Sequence, residues 1–312
     1  MKNYTTIKDI SALSETIKEA ILLKMNPFAC SELGKHKTLV MLFFNSSLRT
    51  RLSTEKAAKN LGMDVMILNV NDAWNLEFED GTIMNMDKSE HIKEAAQVIS
   101  QYADIIAVRA FPGLKDKTRD ESELVLNSFK KYATVPIVNM ESATAHPLQA
   151  LADAITISEL TEKKTPKVVL SWAPHPKALP QAVANSFVEM MQNLDVDFSI
   201  THPKGYELNT EITKDTPIDY NQENALKDAD FVYVKNWSSY NDYGKVLSED
   251  KNWMMTKEKL GEAKFMHCLP VRRNVVVEDA VLDSNQSVVI KQANNRTYAA
   301  QVVLKTILEN LK

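Results

Sequence analysis

Short apolar, β-branched segments alternate with longer amphipathic segments along the whole chain. Most of the apolar segments lack a strict alternation of apolar and polar residues, as expected of parallel strands that are covered on both faces. The predicted strands are Thr38–Phe44, Met63–Val70, Asp104–Val108, Val135–Met140, Lys167–Trp172, Asp197–Thr201, Asp230–Val234, Lys264–His267 and Ser287–Lys291.

The amphipathic segments predict helices over Ser53–Leu61, His91–Tyr102, Glu121–Lys131, Pro147–Leu160, Pro180–Leu194, Asn221–Lys227 and Asn295–Leu311. Because strands and helices alternate, we expect parallel sheets. Two sheets of four or five strands fit two domains better than one large sheet, so the predicted fold is α/β with two doubly wound parallel-sheet domains. Asp72–Asp87 has no clear periodicity and is a predicted long loop, which is often functional.

Composition narrows the class of protein. The 312 residues are 44% hydrophobic and 25% charged, and the net charge is −4, which is typical of a globular protein and unlike a dedicated nucleic-acid binder. No run of about 18 apolar residues and no signal-peptide pattern occurs. We therefore expect a soluble cytoplasmic protein with neither a nucleic-acid nor a membrane partner.

Glycine and cysteine usage excludes several kinds of site. The 7 glycines are too far apart for a G-x-G-x-x-G or P-loop motif, which disfavours glycine-dependent NAD or ATP sites. The 2 cysteines, Cys30 and Cys268, can form neither a disulfide framework nor a four-cysteine zinc site. His267 and Cys268 lack partners at metal-ligand spacing. Cys268 is either a covalent nucleophile, if the fold supplies a base, or a contact residue.

Polar residues follow six of the predicted strands, at the position where ligands bind in open parallel sheets. The clusters are Asn45–Arg51, Arg109, Glu141–Gln149, Ala173–Pro176, Lys235–Trp237 and His267–Arg273. Their common position predicts a small-molecule site rather than scattered surface polarity.

The first cluster lies where a strand turns into a helix. Helix N-terminal N–H groups favour an anion, the hydroxyls of Ser47 and Thr50 add donors, and the guanidinium groups of Arg49 and Arg51 match phosphate. The cluster predicts a phosphate site made without glycine. The alternative is an ordinary helix cap with two solvated arginines.

Two further clusters fit the surroundings of such a phosphate. Arg109 could hold a second oxygen. His146 and Gln149 are three residues apart and face one side of a helix start, where they could polarise a carbonyl and donate to an amide. The alternative for His146 is a buried histidine with a purely structural role.

Three motifs in this order and spacing resemble the aspartate/ornithine carbamoyltransferase family over nearly the whole chain. They are Ser47-Leu48-Arg49-Thr50-Arg51, His146-Pro147-Leu148-Gln149 and His267-Cys268-Leu269-Pro270. The resemblance implies a carbamoyl-phosphate-binding domain over 1–150, an acylornithine-binding domain over 151–295, and a C-terminal helix over 296–312 that returns to the first domain. It also implies small-molecule substrates, a homotrimer, and neither a metal nor an organic cofactor.

Within the family, the chain lacks the Asp-x-x-x-Ser-Met-Gly segment with which ordinary ornithine carbamoyltransferases handle a free α-amine. Its segments Trp172–Pro176 and Phe231–Trp237 instead resemble the N-acylornithine carbamoyltransferases. Lys235 would repel a cationic free α-amine, whereas it could pair with a succinyl carboxylate.

The resemblance implies roles for individual residues. Carbamoyl phosphate is expected to contact Ser47, Leu48, Arg49, Thr50, Trp74, Arg109, His146, Pro147, Leu148, Gln149, Cys268, Leu269 and Arg296. The expected catalytic residues among them are Arg49, Thr50, Arg109, His146, Gln149 and Arg296. The expected acylornithine contacts are Glu141, His175, Lys235, Arg272 and Ser89. Trp74 either reaches the neighbouring subunit's site or anchors its own loop, and only one of Arg272 and Arg273 is expected to touch substrate.

The resemblance links the choice of acyl group to the residue that precedes the Glu-His pair. In the family, a glutamate at this position goes with an acetyl group, and a proline goes with a succinyl group. Here it is Ser89, which is small and neutral and leaves room for a carboxylate. Val276 stands where acetyl-type enzymes tend to carry lysine. Both residues favour N-succinylornithine as the acceptor, and N-acetylornithine is the alternative. If the alignment to the family is shifted by one residue, Glu90 would stand at the deciding position and weaken this preference.

The expected reaction is therefore carbamoyl transfer to the δ-amine of N-succinylornithine, in arginine biosynthesis. Putrescine, free ornithine or aspartate as acceptor is disfavoured by Lys235 and by the missing Ser-Met-Gly string. A catalytically silent regulatory subunit is disfavoured by the intact set of catalytic residues.

Overall fold

The structure is a computed structural model that describes residues 1–70 and 74–311. The chain divides into two compact units. The first unit comprises Met1–Gly113, Thr118–Leu148 and Arg296–Lys312, and the second comprises Leu114–Lys117 and Gln149–Asn295. The functional labels of the segments 1–150, 151–295 and 296–312 stay predictions.

The first unit is built on a four-stranded parallel sheet. Its chain contains β1 (Thr38–Phe43), β2 (Asp64–Asn69), β3 (Leu76–Glu77), β4 (Glu90–His91), β5 (Ile105–Arg109) and β6 (Ile137–Glu141). The sheet order is β2-β1-β5-β6, and β3 pairs with β4 in a separate two-stranded sheet. Every residue of β5 and β6 is buried, because both faces of a parallel sheet are covered.

The helices of this part of the chain are α1 (Leu13–Met25), α2 (Leu48–Asn60), α3 (Ile92–Tyr102), α4 (Lys117–Glu121) and α5 (Leu124–Tyr132). The predicted helix over Ser53–Leu61 begins five residues earlier, at Leu48. The reason is the cap, because the Ser47 hydroxyl oxygen accepts a 3.3 Å hydrogen bond from the Thr50 backbone N–H and satisfies a donor of the first turn.

The second unit is built on a five-stranded parallel sheet, reached through α6 (Pro147–Leu160). Its strands are β7 (Lys167–Trp172), β8 (Asp197–Thr201), β9 (Ile218–Asp219), β10 (Phe231–Lys235) and β11 (Lys264–Met266), in the order β11-β10-β7-β8-β9. Its helices are α7 (Ala182–Met191), α8 (Thr210–Thr213), α9 (Gln222–Leu226), α10 (Lys257–Leu260) and α11 (Asp279–Leu282). The prediction of an α/β fold with parallel sheets in two domains is confirmed, and β9 was not predicted because it has only two residues.

The predicted strand over Ser287–Lys291 is wrong. Ser287 makes only an isolated bridge to Phe265, and Val289 begins the last helix, α12 (Val289–Glu309). The β-branched pair Val288–Val289 is buried, but the backbone N–H of Gln292 already donates to the Val288 carbonyl at 2.9 Å. A short apolar run at the start of a buried helix has the same composition as a strand.

The predicted loop over Asp72–Asp87 contains β3, and its residues Asp72 and Ala73 lie outside the described part of the chain. Within residues 1–70 and 74–311, no helix combines the length and apolar character needed to cross a membrane.

Candidate active site

Arg109, at the end of β5, holds the loop between β1 and α2. Its Nη1 donates to the carbonyl oxygens of Asn45 at 2.9 Å and Ser46 at 2.8 Å. The Asn45 side chain in turn accepts a 2.6 Å hydrogen bond from the Phe111 backbone. The predicted phosphate loop is therefore fixed from the neighbouring strand of the same sheet.

The N-terminus of α2 collects donors and positive charge. Thr50 is buried, and its hydroxyl oxygen accepts a 2.7 Å hydrogen bond from Nη2 of the buried Arg296 on α12. Arg49 is half-buried, and its charge acts on Arg109. The structure thus brings Ser47, Thr50 and Arg296 together at a helix N-terminus, an arrangement that suits an anion.

Arg51 is engaged elsewhere. Its guanidinium donates to the side chain of Asn69 at the end of β2 and stacks 4.8 Å above the Phe43 ring. Of the two arginines in the first motif, Arg49 is therefore the better candidate for binding phosphate. Leu48, which lies between Ser47 and Arg49 in the sequence, is exposed.

A buried charged cluster lies at the ends of β5 and β6. Oε2 of Glu141 accepts from Nε of Arg109 at 3.2 Å, lies 3.1 Å from its Nη2, and lies 3.5 Å from Nε2 of His146. All three side chains are buried. Pairing between Arg109 and Glu141 offsets the cost of removing their charges from water. Glu141, an expected acylornithine contact, is held next to two expected carbamoyl-phosphate contacts.

His146 is electrically neutral near neutral pH. Burial, followed by the positive charges of Arg296 and Arg109, holds its pKa well below the ordinary 6.5. Burial also lowers the pKa of Arg109, while Glu141 counteracts this effect. A neutral imidazole can donate one hydrogen bond to a carbonyl oxygen without adding a net charge.

In the second unit, Gln149 is oriented by a buried carboxylate. Its Nε2 donates to Oδ1 of Asp153 at 2.7 Å, and Nε2 of Gln292 donates to the same oxygen at 2.7 Å. Because a carboxylate oxygen accepts hydrogen bonds, the Gln149 amide nitrogen must face Asp153 and its carbonyl oxygen must face away. One N–H of Gln149 is therefore directed to Asp153, although donation to a substrate amide is the predicted role.

His175, Arg272 and Lys235 form the polar end of the second sheet. Nε of Arg272 donates to Nε2 of His175 at 3.1 Å, and Nδ1 of His175 lies 2.8 Å from the Lys177 carbonyl oxygen and 3.1 Å from the Lys177 backbone nitrogen. Burial and the charges of Lys235, Arg272 and Lys177 lower the pKa of His175. Lys235 is buried, and its Nζ donates to the Asn236 carbonyl at 2.9 Å.

Arg273 differs from its neighbour Arg272. Its guanidinium donates to Asp279 at 2.9 Å and to Asp283 at 2.7 and 2.9 Å, and these carboxylates raise its pKa. Arg272 is thus the arginine that stands with His175.

A pocket of about 240 Å³ opens beside His175 in the second unit. Its lining is formed by Pro174, His175, Pro176, Glu249, Lys251, Met254, Asn274 and Val275.

The His267–Pro270 motif forms a constrained turn after β11. The His267 backbone N–H donates to Oε1 of Gln292 at 3.0 Å, and Nδ1 of His267 accepts from the Leu269 N–H at 2.8 Å. Leu269 has φ 56°, and its bond to Pro270 is cis. A left-handed leucine is rare and is kept only where its surroundings enforce it. The substrate contacts of Cys268 and Leu269 stay predictions.

Trp74 and Ser89 lie on the segment around β3 and β4. Nε1 of Trp74 donates to Oε2 of Glu90 at 2.6 Å, while the residue remains 47% exposed. The Ser89 backbone N–H donates to the Asn75 carbonyl at 2.8 Å, and its side chain is exposed. The Glu90 carboxylate therefore accepts a hydrogen bond from Trp74, whereas Ser89 is exposed to solvent.

Three residues that support this site were not predicted from the sequence: Asp153, Gln292, and Glu123, whose carboxylate accepts hydrogen bonds from Ser142 and Thr144 in the turn before His146. Asp153 follows Gln149 by four residues, a spacing that places two side chains on one helix face and could have identified it. No local sequence pattern identifies Gln292 or Glu123, because their hydrogen-bond partners are distant in the sequence.

Comparisons with known proteins agree with these motifs. Residues 2–159 match the family model of the aspartate/ornithine carbamoyltransferase carbamoyl-P binding domain, and residues 180–307 match its Asp/Orn binding domain. An N-succinylornithine carbamoyltransferase of Bacteroides thetaiotaomicron is 50% identical, with 100% of both chains covered. An N-acetylornithine carbamoyltransferase of Xylella fastidiosa is 36% identical, covering 92% of this chain and 94% of the relative.

A solved structure is also similar. It is an N-acetyl-L-ornithine transcarbamylase variant with one glutamate replaced by serine, complexed with carbamyl phosphate and N-succinyl-L-norvaline. It is 34% identical with a TM-score of 0.91, covering 98% of this chain and 100% of that chain. Two matching domain models and full-length relatives confirm the resemblance carried by the three motifs: the chain belongs to the aspartate/ornithine carbamoyltransferase family and is a carbamoyltransferase.

Proposed function

We propose that the protein transfers the carbamoyl group of carbamoyl phosphate to the δ-amine of N-succinyl-L-ornithine. The products are N-succinyl-L-citrulline and phosphate, in arginine biosynthesis. The observation that carries the proposal is the 50% identity over the whole chain to an N-succinylornithine carbamoyltransferase, against 36% to an N-acetylornithine enzyme.

The second unit supports an acylated, anionic acceptor. Lys235 and Arg272 are cationic, and the lowered pKa of His175 keeps its ring neutral. Carboxylates suit this environment, whereas a cationic free α-amine would be repelled by it. A succinyl tail adds a second carboxylate to that of the ornithine.

Ser89 supports succinyl over acetyl. Its side chain is exposed and bears no charge, so it neither fills the space of a carboxylate nor repels it. Structures of acetylornithine enzyme variants in which one glutamate is replaced by serine, alanine, valine or proline hold N-succinyl-L-norvaline. The neighbouring Glu90 is bound to Trp74, which supports Ser89 as the residue that decides the acyl group.

We place the phosphate of carbamoyl phosphate at the N-terminus of α2. Ser47, Arg49 and Thr50 supply donors there, as do the helix N–H groups. Arg296, bonded to the Thr50 hydroxyl, adds a charge for the departing phosphate. We assign the backbone of Cys268 and Leu269, together with Gln149, to the carbamoyl group on the strength of the family motifs alone.

In the reaction, the δ-amine lone pair forms the C–N bond, and the bond from the carbamoyl carbon to the phosphate oxygen breaks. The carbonyl oxygen gains negative charge in the transition state, and Thr50, Arg109, His146 and Arg296 are the proposed donors. Removing one such donor costs about 3 kcal/mol of transition-state stabilisation. The amine's proton passes to the departing phosphate.

The proposed assembly is a cytoplasmic homotrimer in which Trp74 completes a neighbouring site. The exposed indole of Trp74 supports this, as do the exposed Ile83 and Met86 in the following segment, because exposed apolar side chains near each other are typical of subunit contacts. Sedimentation equilibrium tests the trimer. Mixing the inactive variants Trp74→Ala and Arg49→Ala should restore activity if sites are shared, and no restoration would place Trp74 in its own subunit's site.

The substrate is tested by citrulline formation from carbamoyl phosphate with N-succinylornithine, N-acetylornithine, ornithine and putrescine. We expect turnover with N-succinylornithine. A preference for N-acetylornithine would overturn the acyl assignment alone. The absence of turnover with all four acceptors and with aspartate would favour a catalytically silent subunit.

A further inference from the structure

Glu123 has an unusual backbone conformation for a glutamate. It immediately precedes α5 and adopts φ 50° and ψ 39°, in the left-handed region. Non-glycine residues in this region are strained and persist only where the surroundings enforce the conformation. Its side chain does not cap the helix that it begins, so the strain serves no local capping.

The Glu123 carboxylate reaches instead to the turn after β6. Its Oε1 accepts from the Ser142 hydroxyl at 2.7 Å, and from the backbone N–H and hydroxyl of Thr144 at 2.7 and 2.5 Å. Its Oε2 accepts from the Ala143 N–H at 3.2 Å. Charge-assisted hydrogen bonds of this kind are stronger than neutral ones, and four of them end on three consecutive residues.

This turn joins Glu141 to His146, the two β6-side members of the buried cluster with Arg109. It is closed by a 2.8 Å hydrogen bond from the Ser142 N–H to the Ala145 carbonyl. The Asn139 side chain also donates to the Ser142 hydroxyl at 2.9 Å. The turn has no regular secondary structure, and the Glu123 carboxylate accepts four of the hydrogen bonds that hold it.

We propose that Glu123 is a positioning residue for carbamoyl transfer, whose carboxylate clamps the Ser142–Thr144 turn so that His146 and Glu141 keep their places beside Arg109. The inference rests on the proposed function for its catalytic consequence. Its structural consequence does not depend on that function, because the position and burial of His146 can be measured without substrate.

Loss of the clamp should loosen the turn and admit water to His146. The charged groups that face this ring are Glu141 from β6, Arg109 from β5 and Arg296 from α12. Burial contributes most to keeping the ring neutral, so hydration should raise the pKa of His146 toward 6.5. A misplaced donor should also lower kcat on the order of 10²-fold, as expected for a displacement of about 1 Å, with a smaller change in KM.

The experiment compares Glu123→Gly with Glu123→Ala in the full-length protein. Both remove the carboxylate, but glycine adopts the left-handed conformation without strain, so the glycine variant should have the higher Tm. Loss of backbone fit alone would predict normal kcat in Glu123→Gly, whereas loss of the clamp predicts low kcat in both. Glu123→Gln, which keeps one acceptor oxygen, should be intermediate. Glu121→Ala, an exposed site on the preceding helix, is the matched control.

The second readout is the pH titration of the His146 ring by NMR of histidine-labelled protein, assigned by comparison with His146→Gln. We expect the midpoint to rise in Glu123→Gly and to stay unchanged in Glu121→Ala. Wild-type kcat together with a wild-type His146 titration in Glu123→Gly would overturn the inference. A raised midpoint in a protein whose wild type transfers no carbamoyl group would support the clamp and reject the proposed function.

Discussion

Arg296 Nη2 donates a 2.7 Å hydrogen bond to the hydroxyl oxygen of Thr50, 246 residues earlier in the chain, and both side chains are buried. The bond connects α12 to the N-terminus of α2. By accepting this bond, Thr50 orients the Arg296 guanidinium, which is expected to bind phosphate.

The first prediction concerns this bond. Thr50→Val keeps the side-chain shape but removes the acceptor, leaving a buried guanidinium without that partner at a cost of about 1–3 kcal/mol. We expect lower stability to urea and a higher KM for carbamoyl phosphate. Thr54→Val, at another buried threonine of α2, is the control. Equal KM values in the two variants would contradict the role of Thr50.

Ser89→Glu tests the acyl preference. The new carboxylate would repel a succinyl carboxylate and occupy its space, so kcat/KM for N-succinylornithine should fall at least about tenfold relative to N-acetylornithine, corresponding to about 1.4 kcal/mol. Asn85→Glu adds the same charge to the same exposed segment and should leave the ratio unchanged. An unaltered ratio in Ser89→Glu would remove Ser89 from acyl selection.

Arg272 and Arg273 should differ in function. Arg272→Ala removes the partner of His175 and should raise KM for the acylornithine with little change in KM for carbamoyl phosphate. Arg273→Ala breaks only the exposed pairs with Asp279 and Asp283, which contribute little, so its kinetics should resemble wild type. The reverse pattern in steady-state kinetics would show that Arg273 is the substrate-binding arginine.

Buried histidines should make the protein sensitive to acid. Burial lowers the pKa of His202 below 6.5 in the folded protein. As the pH falls, His202 is therefore protonated at a higher pH in the unfolded chain than in the folded protein. Stability is therefore complete well above pH 6.5 and falls as the pH drops through 6.5 toward the folded pKa. The loss is at most about 1.4 kcal/mol per pH unit for each such histidine.

The test is urea unfolding of wild type and His202→Gln between pH 8 and pH 5. We expect the free energy of unfolding of the variant to fall less steeply below about pH 6.5. Parallel curves would show that His202 does not titrate differently in the folded and unfolded states. His146 and His175, whose pKa values are also lowered, should contribute to the remaining slope.

The sequence predicts an element with the correct ends where composition and periodicity indicate the same type of secondary structure. Lys167–Trp172 and Asp197–Thr201 are strands with the predicted ends, and α6 has both predicted ends. Errors occurred where a short run was ambiguous. Ser287–Lys291 is apolar because it enters a buried helix, and β9 has too few residues to show a pattern.

By itself, the sequence determined the α/β fold, the family and the residue types expected at the carboxyl ends of the strands. Those features depend on local periodicity and on short motifs, both of which are written in consecutive residues. Only the tertiary structure decided which polar residues meet. Arg109 holds the loop before α2, Glu123 clamps the turn before His146, and Arg296 orients toward Thr50. These pairs are set by how strands and helices distant in the sequence pack together, and no local pattern encodes that packing.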